Sequence, residues 1–408
     1  MKTFLSLLAA SAAVSSLSAQ TTLRLTLSSQ VARDDAPVVL QLAKYGPVRS
    51  ALVEVGGREI PCQLDDLDQD GRYDELAFVA DLKAGQRQQA VVTLYNEGMA
   101  RQYPARTFAE IVLRNPSVKQ KNQHDIYLSE ITVDKATANP YNVLHHHGVA
   151  FESELIALRI YMDKRQTIDL YGKFHKRLEL QATQFYTQPE QKAEGYGDDV
   201  LWVGNTFGLG ALRGWNGTEP TMLDDVAHRT QRILAQGPVR TIVEVEDRGW
   251  TMRPGDKPVN MTERYTLYAG HRDMDVDVTF NCDMTGREMA TGVINVKNSE
   301  EITDHNGLRG CWGTDWPATD TANWKRETVG LAIYVPRQYR RQELPANHDN
   351  YGFVVAPQGR HLHYSLAYTS ANEDFGYHSK EEWAQWMKAW KQREESSITV
   401  TGLPQRKR

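Results

Sequence analysis

The stretch from Met274 to Asn281 reads Met-Asp-Val-Asp-Val-Thr-Phe-Asn, a strict alternation of apolar and polar side chains. Successive side chains of a β-strand point to opposite faces, so this pattern predicts a strand with one face in a core and the other in water. The same alternation recurs in residues 239–246 and 361–368. Long strands with one wet face are typical of antiparallel sheets, and we therefore expect a large antiparallel sandwich.

Shorter alternating runs, separated by turn residues, fill the chain from Leu23 to Leu113. Gly56-Gly57 lies between two such runs, where a hairpin turn is expected. We predict an all-β chain with a small N-terminal β-sandwich in residues 20–115 and the large sandwich, carrying the functional site, in residues 120–402. The polar, proline-containing segment around residues 115–123 is the predicted linker.

One amphipathic helix is predicted near the C-terminus. Ser379 and Glu382 are spaced as a capping box, and apolar side chains follow at i, i+3, i+4 and i+7: Trp383, Trp386, Met387 and Trp390. Such a stripe most often packs against a core, although a helix that lines a cleft would show the same pattern. The basic residues 403–408 are expected to form a frayed tail.

Composition excludes several classes of protein. The 408 residues are 40% hydrophobic and 24% charged, which allows a large core and argues against disorder. The formal net charge of -5 provides no positive field for a phosphate backbone, so we expect no nucleic-acid partner. The three cysteines, Cys62, Cys282 and Cys311, are too few and too scattered for a disulfide framework, and buried thiols are expected.

The N-terminus has the pattern of a secretory signal. Lys2 precedes a short apolar run that ends in Leu17-Ser18-Ala19. We predict a signal peptide in residues 1–19 and an exported protein, periplasmic or extracellular. No cysteine near Ala19 could accept a lipid, and no other stretch of about 18 apolar residues is present, so neither a lipoprotein nor a membrane protein is expected.

Residues Ile168 to Leu180 are predicted as a strand with one ionisable face, formed by Asp169, Tyr171, Lys173, His175, Arg177 and Glu179. Such a face is often simply solvated. A row of Tyr, Lys, His and Arg would also provide a proton donor, a proton acceptor and two cations for an anionic ligand.

Three consecutive histidines, His145, His146 and His147, precede Glu152. They cannot all face one way on a strand, so at most two could converge on a site. A histidine titrates near neutral pH and would suit a general base, or a zinc ligand if other donors come close. An isolated surface cluster is the alternative interpretation.

Two glycine-rich loops carry tryptophans. One runs from Trp202 through Arg213 to Trp215, and the other contains Trp312 and Trp316. Indoles held on loops can stack on the apolar faces of sugar rings, with Arg and Asp nearby to bind hydroxyls and carboxylates. Core packing is an equal alternative for each tryptophan.

An acidic loop provides the most patterned local motif. Carboxylates alternate before Gly71, at Asp66, Asp68 and Asp70, and Asp74 follows. Such a loop could turn several oxygens inward around a structural calcium ion, or it could be an acidic hairpin turn. No other cofactor is predicted. The GxSxG, GxxxxGK[ST] and HExxH motifs are absent, which argues against a serine hydrolase, a P-loop ATPase and a zincin.

Several motifs together resemble the secreted bacterial family known as domain of unknown function 4861. They are residues 65–76, 146–154, 163–173, 196–202, 229–232 with 237–240, and 376–379. The resemblance implies the super-β-sandwich shared by galactose-mutarotase-like proteins and several polysaccharide lyases. It also implies a uronate-containing oligosaccharide as substrate and an elimination reaction, by a lyase or dehydratase, in polysaccharide degradation.

Elimination beside a uronate carboxylate needs a cation, a base and an acid. Our hypothesis assigns Lys173 and Arg213 as cations, His146 or His147 as base, and Tyr171 as acid or base. Substrate contacts are expected from Glu152, Asp169, His175, Trp215, Trp312 and Trp316. Two alternatives stay open: a glycoside hydrolase that uses Glu152 and Asp169 as a carboxylate pair, and a glycan-binding protein without catalysis.

Overall fold

The structure, a computed structural model of the chain, describes residues 20–120, 123–135, 139–319, 321–322 and 324–402. The predicted signal peptide and the basic tail lie outside these residues. Every strand pair within the described ranges is antiparallel, and the strands form five sheets. This confirms the prediction of an all-β fold with a small and a large sandwich.

The small sandwich is built from strands near the N-terminus. They are β1 (Gln20–Ser28), β2 (Arg33–Gln41), β3 (Ser50–Val55), β4 (Arg58–Ile60), β5 (Cys62–Asp65), β6 (Glu75–Leu82) and β7 (Arg87–Tyr95). The order β1-β7-β3-β4 forms one sheet, and β2-β6-β5 forms the other. Their inner faces bury a core of alternate residues such as Leu25, Val38 and Phe78.

The large sandwich follows. Its strands are β8 (Thr107–Leu113), β9 (Ile126–Leu128), β10 (Glu130–Asp134), β11 (Gly148–Ser153), β12 (Ala157–Tyr161), β13 (Ile168–Gly172), β14 (Asp198–Asp199), β15 (Arg213–Trp215), β16 (Pro220–Thr221), β17 (His228–Ala235), β18 (Arg240–Trp250), β19 (Val259–Tyr268), β20 (Asp273–Phe280), β21 (Met289–Ile294), β22 (Glu300–Thr303), β23 (Leu308–Asp315), β24 (Glu327–Tyr334), β25 (Arg340–Glu343), β26 (Asn350–Val355) and β27 (His361–Ser370). A final strand, β28 (Thr399–Thr401), pairs with β1. The helices are α1 (Leu180–Thr183), α2 (Pro189–Ala193) and α3 (Lys380–Glu394), with 3-10 turns at Ala43–Tyr45 and Pro140–Asn142.

Three sheets make the two layers of the large sandwich. One layer is a nine-stranded sheet in the order β10-β17-β18-β19-β20-β27-β24-β23-β22. The other contains a six-stranded sheet, β14-β13-β12-β11-β8-β9, and a five-stranded sheet, β16-β15-β21-β26-β25. One core holds side chains from all three sheets, among them Val276, Leu170 and Phe353. Residues Met274, Val276, Val278 and Phe280 are buried as the alternation predicts.

Two strands cross the predicted domain boundary. β8 lies within residues 20–115, but it pairs with β11 in the six-stranded sheet, Glu110 opposite Ala150. β28 comes from the far end of the chain and extends the sheet of the small sandwich, Thr401 opposite Thr26. The two sandwiches are therefore joined at both ends of the N-terminal segment.

Helix α3 packs on the outer face of the nine-stranded sheet. The Ser379 hydroxyl accepts a hydrogen bond from the Glu382 N–H, as the capping-box spacing predicts. Trp383, Met387 and Trp390 are fully buried against Ala332 and Ala367. The aromatic stripe is therefore a packing face. Among the helices that the structure describes, none is long and apolar enough to cross a bilayer.

The predicted strand over residues 168–180 is wrong in its second half. β13 ends at Gly172, and the chain then leaves the sheet, reaches α1 at Leu180 and returns through α2 to β14. Gly172, the last residue of β13, is closely packed, since a Cβ there would lie 2.4 Å from a methyl of Val200, and the Lys173 ammonium after it turns inward to Glu152. Residues 173–197 thus form a cover over the outer face of the six-stranded sheet, and that face is buried instead of solvated.

Candidate functional site

The outer face of the six-stranded sheet carries a row of polar side chains. In β12 the residues Leu158 and Ile160 enter the core, so alternation turns Arg159 and Tyr161 outward. Asp169 of β13 lies directly opposite Arg159 in the strand register. The cover described above then encloses these groups.

Arg159 organises this face. Its Nε and Nη2 donate to Asp169 Oδ2 at 2.9 and 2.6 Å, and its Nη1 donates to the Tyr186 hydroxyl at 3.0 Å. The Tyr161 hydroxyl donates to the same Asp169 oxygen at 2.6 Å. Burial lowers the pKa of Arg159, but the charges of Tyr161 and Asp169 raise it, and the pKa lies well above its usual value. A fixed, permanently charged guanidinium results.

His147 continues the network toward solvent. Its Nδ1 lies 2.7 Å from the Tyr141 carbonyl oxygen, which can only accept, so Nδ1 carries the proton. Nε2 then has a free lone pair and accepts from the Tyr186 hydroxyl at 3.1 Å. Burial lowers the pKa of His147 to about 4, so the ring is neutral at pH 7. Hydrogen-bond donation therefore runs from Arg159 to Tyr186 and from Tyr186 to His147. The name Tyr–His–Arg cluster is used below for Arg159, Tyr161, Asp169, Tyr186 and His147.

This arrangement suits proton abstraction. The Arg159 contact stabilises negative charge on the Tyr186 oxygen, although burial on balance raises the pKa of that phenol. Nε2 of His147 is the acceptor for the phenolic proton. Tyr186 and His147 are both half-buried at the rim of the cover, and Tyr141 stacks flat on the imidazole with ring centres 3.9 Å apart. A ligand at the rim can thus reach a tyrosine whose proton has a prepared acceptor.

The other two histidines face inward. His146 is fully buried with Nε2 2.7 Å from Glu110 Oε1, an approach whose angles do not make a proper hydrogen bond. Burial lowers the pKa of His146 to about 3 and raises that of Glu110 to about 8, so both groups are neutral near pH 7. His145 is also buried. In this conformation neither ring can contact a substrate, and only His147 of the three lies at the rim.

Lys173 and Glu152 form a buried ion pair. Both are fully buried, and Lys173 Nζ donates to Glu152 Oε2 at 2.5 Å and to the carbonyls of Ser153 and Arg177, both at 2.7 Å. Glu152 also accepts from the backbone N–H groups of Glu179 and Leu180. All three ammonium protons are used, which indicates that the pair anchors the cover.

Tyr171 belongs to the same anchor. Its hydroxyl lies 2.9 Å from Glu179 Oε2, 3.0 Å from Thr187 Oγ1 and 2.7 Å from the Gly197 carbonyl. Burial and the adjacent Glu179 carboxylate raise the pKa of Tyr171 well above its usual value. The side chain is fully buried, so the predicted acid or base at Tyr171 has no contact with solvent or ligand here.

The remaining predicted groups are dispersed. His175 is exposed on the cover and pairs with Asp374, Nδ1 to Oδ2 at 2.7 Å. Arg213 is fully buried inside the sandwich, where Nη2 donates to Thr167 Oγ1 at 3.0 Å and to the Thr206 carbonyl at 3.1 Å. Burial lowers the pKa of Arg213 to about 10. Neither residue joins the Tyr–His–Arg cluster.

The tryptophans chosen from sequence do not line one cleft. Trp215 is 6% exposed and packs against Phe207 and Val354. Trp312 packs with the residues beneath α3, on the outer side of the nine-stranded sheet. Trp316 is half-buried just after β23. For Trp215 and Trp312 the packing alternative is the correct one.

Trp202, in contrast, is 54% exposed beside a groove of about 840 Å³. The groove is lined mainly by polar residues from three loops and the end of β23, among them Asn205, Asn295, Asn298, Asp315, His348 and Asp349. Trp202 follows Asp199 by three residues, a reach of about 11 Å at most. Asp199 Oδ2 accepts from Arg159 Nη2 at 3.1 Å, so the segment that forms one wall of the groove, called the Trp202 groove below, continues from a residue that contacts Arg159.

The acidic loop brings three carboxylates together. Oxygens of Asp66, Asp68 and Asp74 all lie within 4.8 Å of one another, and Asp70 is not part of this group. The carboxylates also accept backbone N–H groups: Asp66 from Gly71 at 2.9 Å and Asp74 from Leu67 at 2.7 Å. These contacts are those of an acidic hairpin turn, and a calcium ion at Asp66, Asp68 and Asp74 stays a prediction.

Sequence reasoning missed Arg159, Tyr161 and Tyr186. The sequence of β12 does indicate Arg159 and Tyr161, because they alternate with Leu158 and Ile160 and therefore point away from the core. A buried arginine on that face also needs a counter-charge. Tyr186 gave no comparable signal. Its position depends on how the cover folds back, which no local pattern in residues 173–197 specifies.

The solved structures similar to this chain include two enterococcal proteins. One is a protein in glycosyl hydrolase family 38 from Enterococcus faecalis, with 10% identity over 95% of this chain and 48% of that chain and a TM-score of 0.46. The other is an alpha-mannosidase from Enterococcus faecalis V583, with 10% identity over 93% of this chain and 46% of that chain and a TM-score of 0.47. The chain thus spans about half the length of each. A search of curated proteins found no match.

The family comparison covers nearly all of the described chain. A model described as "Domain of unknown function (DUF4861)" matches residues 25–400, which include both sandwiches, the cover and the Trp202 groove. This confirms the resemblance drawn from the sequence motifs. The chain therefore belongs to the DUF4861 family.

Proposed function

We propose that this protein is a carbohydrate-active enzyme that binds uronate-containing oligosaccharides in the Trp202 groove and acts on them by β-elimination. The observation that carries the proposal is the chain of hydrogen bonds from Arg159 through Tyr186 to His147 at the rim of the cover. In the proposal, a saccharide bound in the groove extends to this rim, where the chain supplies a proton acceptor.

The Trp202 groove has the chemistry of a saccharide subsite. An exposed indole offers a flat apolar surface for the C–H face of a sugar ring, and amide and carboxylate side chains along the loops can bind its hydroxyls.

Elimination requires removal of the proton on the carbon next to the uronate carboxylate. In the proposed step Tyr186 passes its proton to His147 Nε2 and its oxygen takes the proton from the substrate carbon. The electron pair left on carbon forms a carbon–carbon double bond, and the bond to the leaving oxygen breaks with its electron pair on that oxygen. Tyr186 then gives the proton taken from carbon to the leaving oxygen and recovers its own proton from His147 Nε2, so both residues return to their starting states. Arg159 holds the developing phenolate charge, which is the role that a fixed guanidinium serves best.

A cation for the substrate carboxylate is also available at the rim. Arg165 is half-buried, its guanidinium lies 4.9 Å from the centre of the Tyr141 ring, and it pairs with Asp163. We propose Arg165 for this role in place of Lys173 and Arg213, since those two cations are fully buried.

The hydrolase alternative has less support. It requires two carboxylates that reach the glycosidic bond, but Glu152 is fully buried and its oxygens are occupied by Lys173 and two backbone N–H groups. A binding protein without catalysis would need the Trp202 groove but not the Tyr–His–Arg cluster.

The proposal is tested by incubating the purified protein with oligosaccharides that contain glucuronate, galacturonate or iduronate. We expect ultraviolet absorbance to rise as a double bond conjugated to the carboxylate forms. New reducing ends without that absorbance would indicate hydrolysis instead. Binding without either signal would indicate a glycan-binding protein.

A further inference from the structure

A second cluster of ionisable side chains lies on the opposite layer, on the outer face of the nine-stranded sheet. It consists of Asp275 of β20, His363 of β27 and Glu394 at the end of α3. Each side chain offers one donor atom, and these atoms lie within 4.8 Å of one another. The cluster is distinct from the Tyr–His–Arg cluster and the Trp202 groove. We propose that it is a binding site for a divalent transition-metal ion of the zinc type.

The strand register builds two of the three donors. Asp275 lies opposite Ser365 and Asp277 lies opposite His363, so His363 sits diagonally from Asp275 on the same face. The core residues Val276 and Tyr364 alternate with them and face inward. Helix α3 then places Glu394 over the pair, where its Oε2 accepts from the Ser365 hydroxyl at 2.8 Å.

His363 has the orientation of a metal ligand. Its Nδ1 lies 2.9 Å from Asp277 Oδ1, and its Nε2 faces Asp275 Oδ1 at 3.9 Å. The first contact is a hydrogen bond to a carboxylate, and the second is too long for one. Metal-ligating histidines usually donate the second ring N–H to a carboxylate in this way, which leaves the other nitrogen for the ion. Two donors bound about 2.1 Å from one tetrahedral ion stand about 3.4 Å apart, so little movement is needed.

Within the described ranges, the two carboxylates have no direct ion pair with a lysine or arginine. Among the described residues, Arg33 and Arg393 line the same pocket as Asp275 and Glu394, but neither forms a salt bridge with them. The neighbouring Asp273 is neutralised by His271, Nδ1 to Oδ1 at 3.3 Å. Arg33, from the small sandwich, donates instead to the carbonyl oxygens of Arg393 and Ser396.

The donor set selects the kind of metal. One imidazole with two carboxylates suits zinc and its neighbours better than calcium or magnesium, which prefer oxygen ligands alone. Three protein donors leave at least one position for water. The Asp275 side chain is 40% exposed and that of His363 is 28% exposed, so an ion can enter from solvent. Because β20, β27 and α3 each supply one donor, the ion would fasten the helix end to the sheet.

The experiment is calorimetric titration of tag-free protein with zinc chloride, after chelator treatment and dialysis. We expect one ion per chain and a rise in Tm on saturation. His363→Ala and Glu394→Gln should each weaken zinc binding about 100-fold or more, and Asp277→Ala about 10- to 100-fold as a positioning change. The matched control is His228→Ala, because His228 also contacts an aspartate, Asp134, but belongs to no group of three donors within the described ranges.

The assignment is overturned if the wild-type chain binds no zinc, or if His363→Ala and Glu394→Gln bind it as tightly as the wild type. It is also overturned if His147→Ala or Asp68→Asn, instead of His363→Ala, removes the binding. Circular dichroism and Tm of each metal-free variant separate loss of the site from loss of the fold.

Discussion

Tyr186 and His147 are joined by a single hydrogen bond, hydroxyl to Nε2 at 3.1 Å, while Arg159 Nη1 approaches the same phenol oxygen at 3.0 Å. The carbonyl of Tyr141 fixes the tautomer of the imidazole, so the direction of proton donation is determined. None of the three residues lies next to another in the chain. The cover formed by residues 173–197 brings them together.

Replacement of Trp202 tests the groove. Because its side chain is 54% exposed, Trp202→Ala should leave Tm unchanged while weakening the binding of a uronate oligosaccharide roughly tenfold. The comparison is Trp215→Ala, which empties a packed position that is 6% exposed and should cost about 3–5 kcal/mol of stability. Calorimetric binding and thermal unfolding measure the two effects. Unchanged affinity in Trp202→Ala would remove the indole from the subsite.

Lys173 is predicted to stabilise the fold without acting in catalysis. Lys173→Met leaves the fully buried Glu152 without its counter-charge and should lower the free energy of unfolding by about 3–5 kcal/mol. The double variant Lys173→Met with Glu152→Leu should recover much of that loss, since no unpaired charge remains. Urea unfolding of the single and double variants gives the coupling. A Lys173→Met protein of normal stability would contradict the anchoring role.

The buried Glu110 carboxyl should impose a pH dependence on stability. Its pKa is raised by burial to about 8 from 4.5, so the folded protein binds more protons than the unfolded chain between these values. Stability from this group is therefore present at low pH and is lost as pH rises toward about 8. Glu110→Gln should flatten that decline, whereas Glu97→Gln, at an exposed position, should not. Equal pH profiles for Glu110→Gln and the wild type would refute the raised pKa.

Alternation in the sequence is enough to predict much of this fold. The strict pattern of residues 274–281 fixes which side chains of β20 are buried, because a shift by one residue would move all of them to the other face. The Ser379 cap and the aromatic stripe locate α3 in the same way. These features depend on local sequence and on burial, both of which the chain reveals directly.

The site could be predicted only in part. His147 and Asp169 were predicted as site residues from the sequence. The strand β13 was predicted to run to Leu180, because the alternation of residues 168–180 persists beyond Gly172, where the strand ends. The sequence prediction also placed Trp215, and not the exposed Trp202, among the expected substrate contacts. Their different exposure arises from which neighbouring loops and strands cover them, a tertiary effect that the sequence of one loop does not encode.

The most direct test is the rate at which Tyr186→Phe forms unsaturated uronate product, measured beside the wild type on the same oligosaccharide. Removal of one hydroxyl takes away the proposed base and its bond to His147, so the rate should fall about 10²- to 10⁴-fold with binding and Tm retained. Tyr103→Phe, which removes a hydroxyl bonded to Glu59 in the small sandwich, is the control and should keep full activity. Full turnover by Tyr186→Phe would contradict the proposed mechanism.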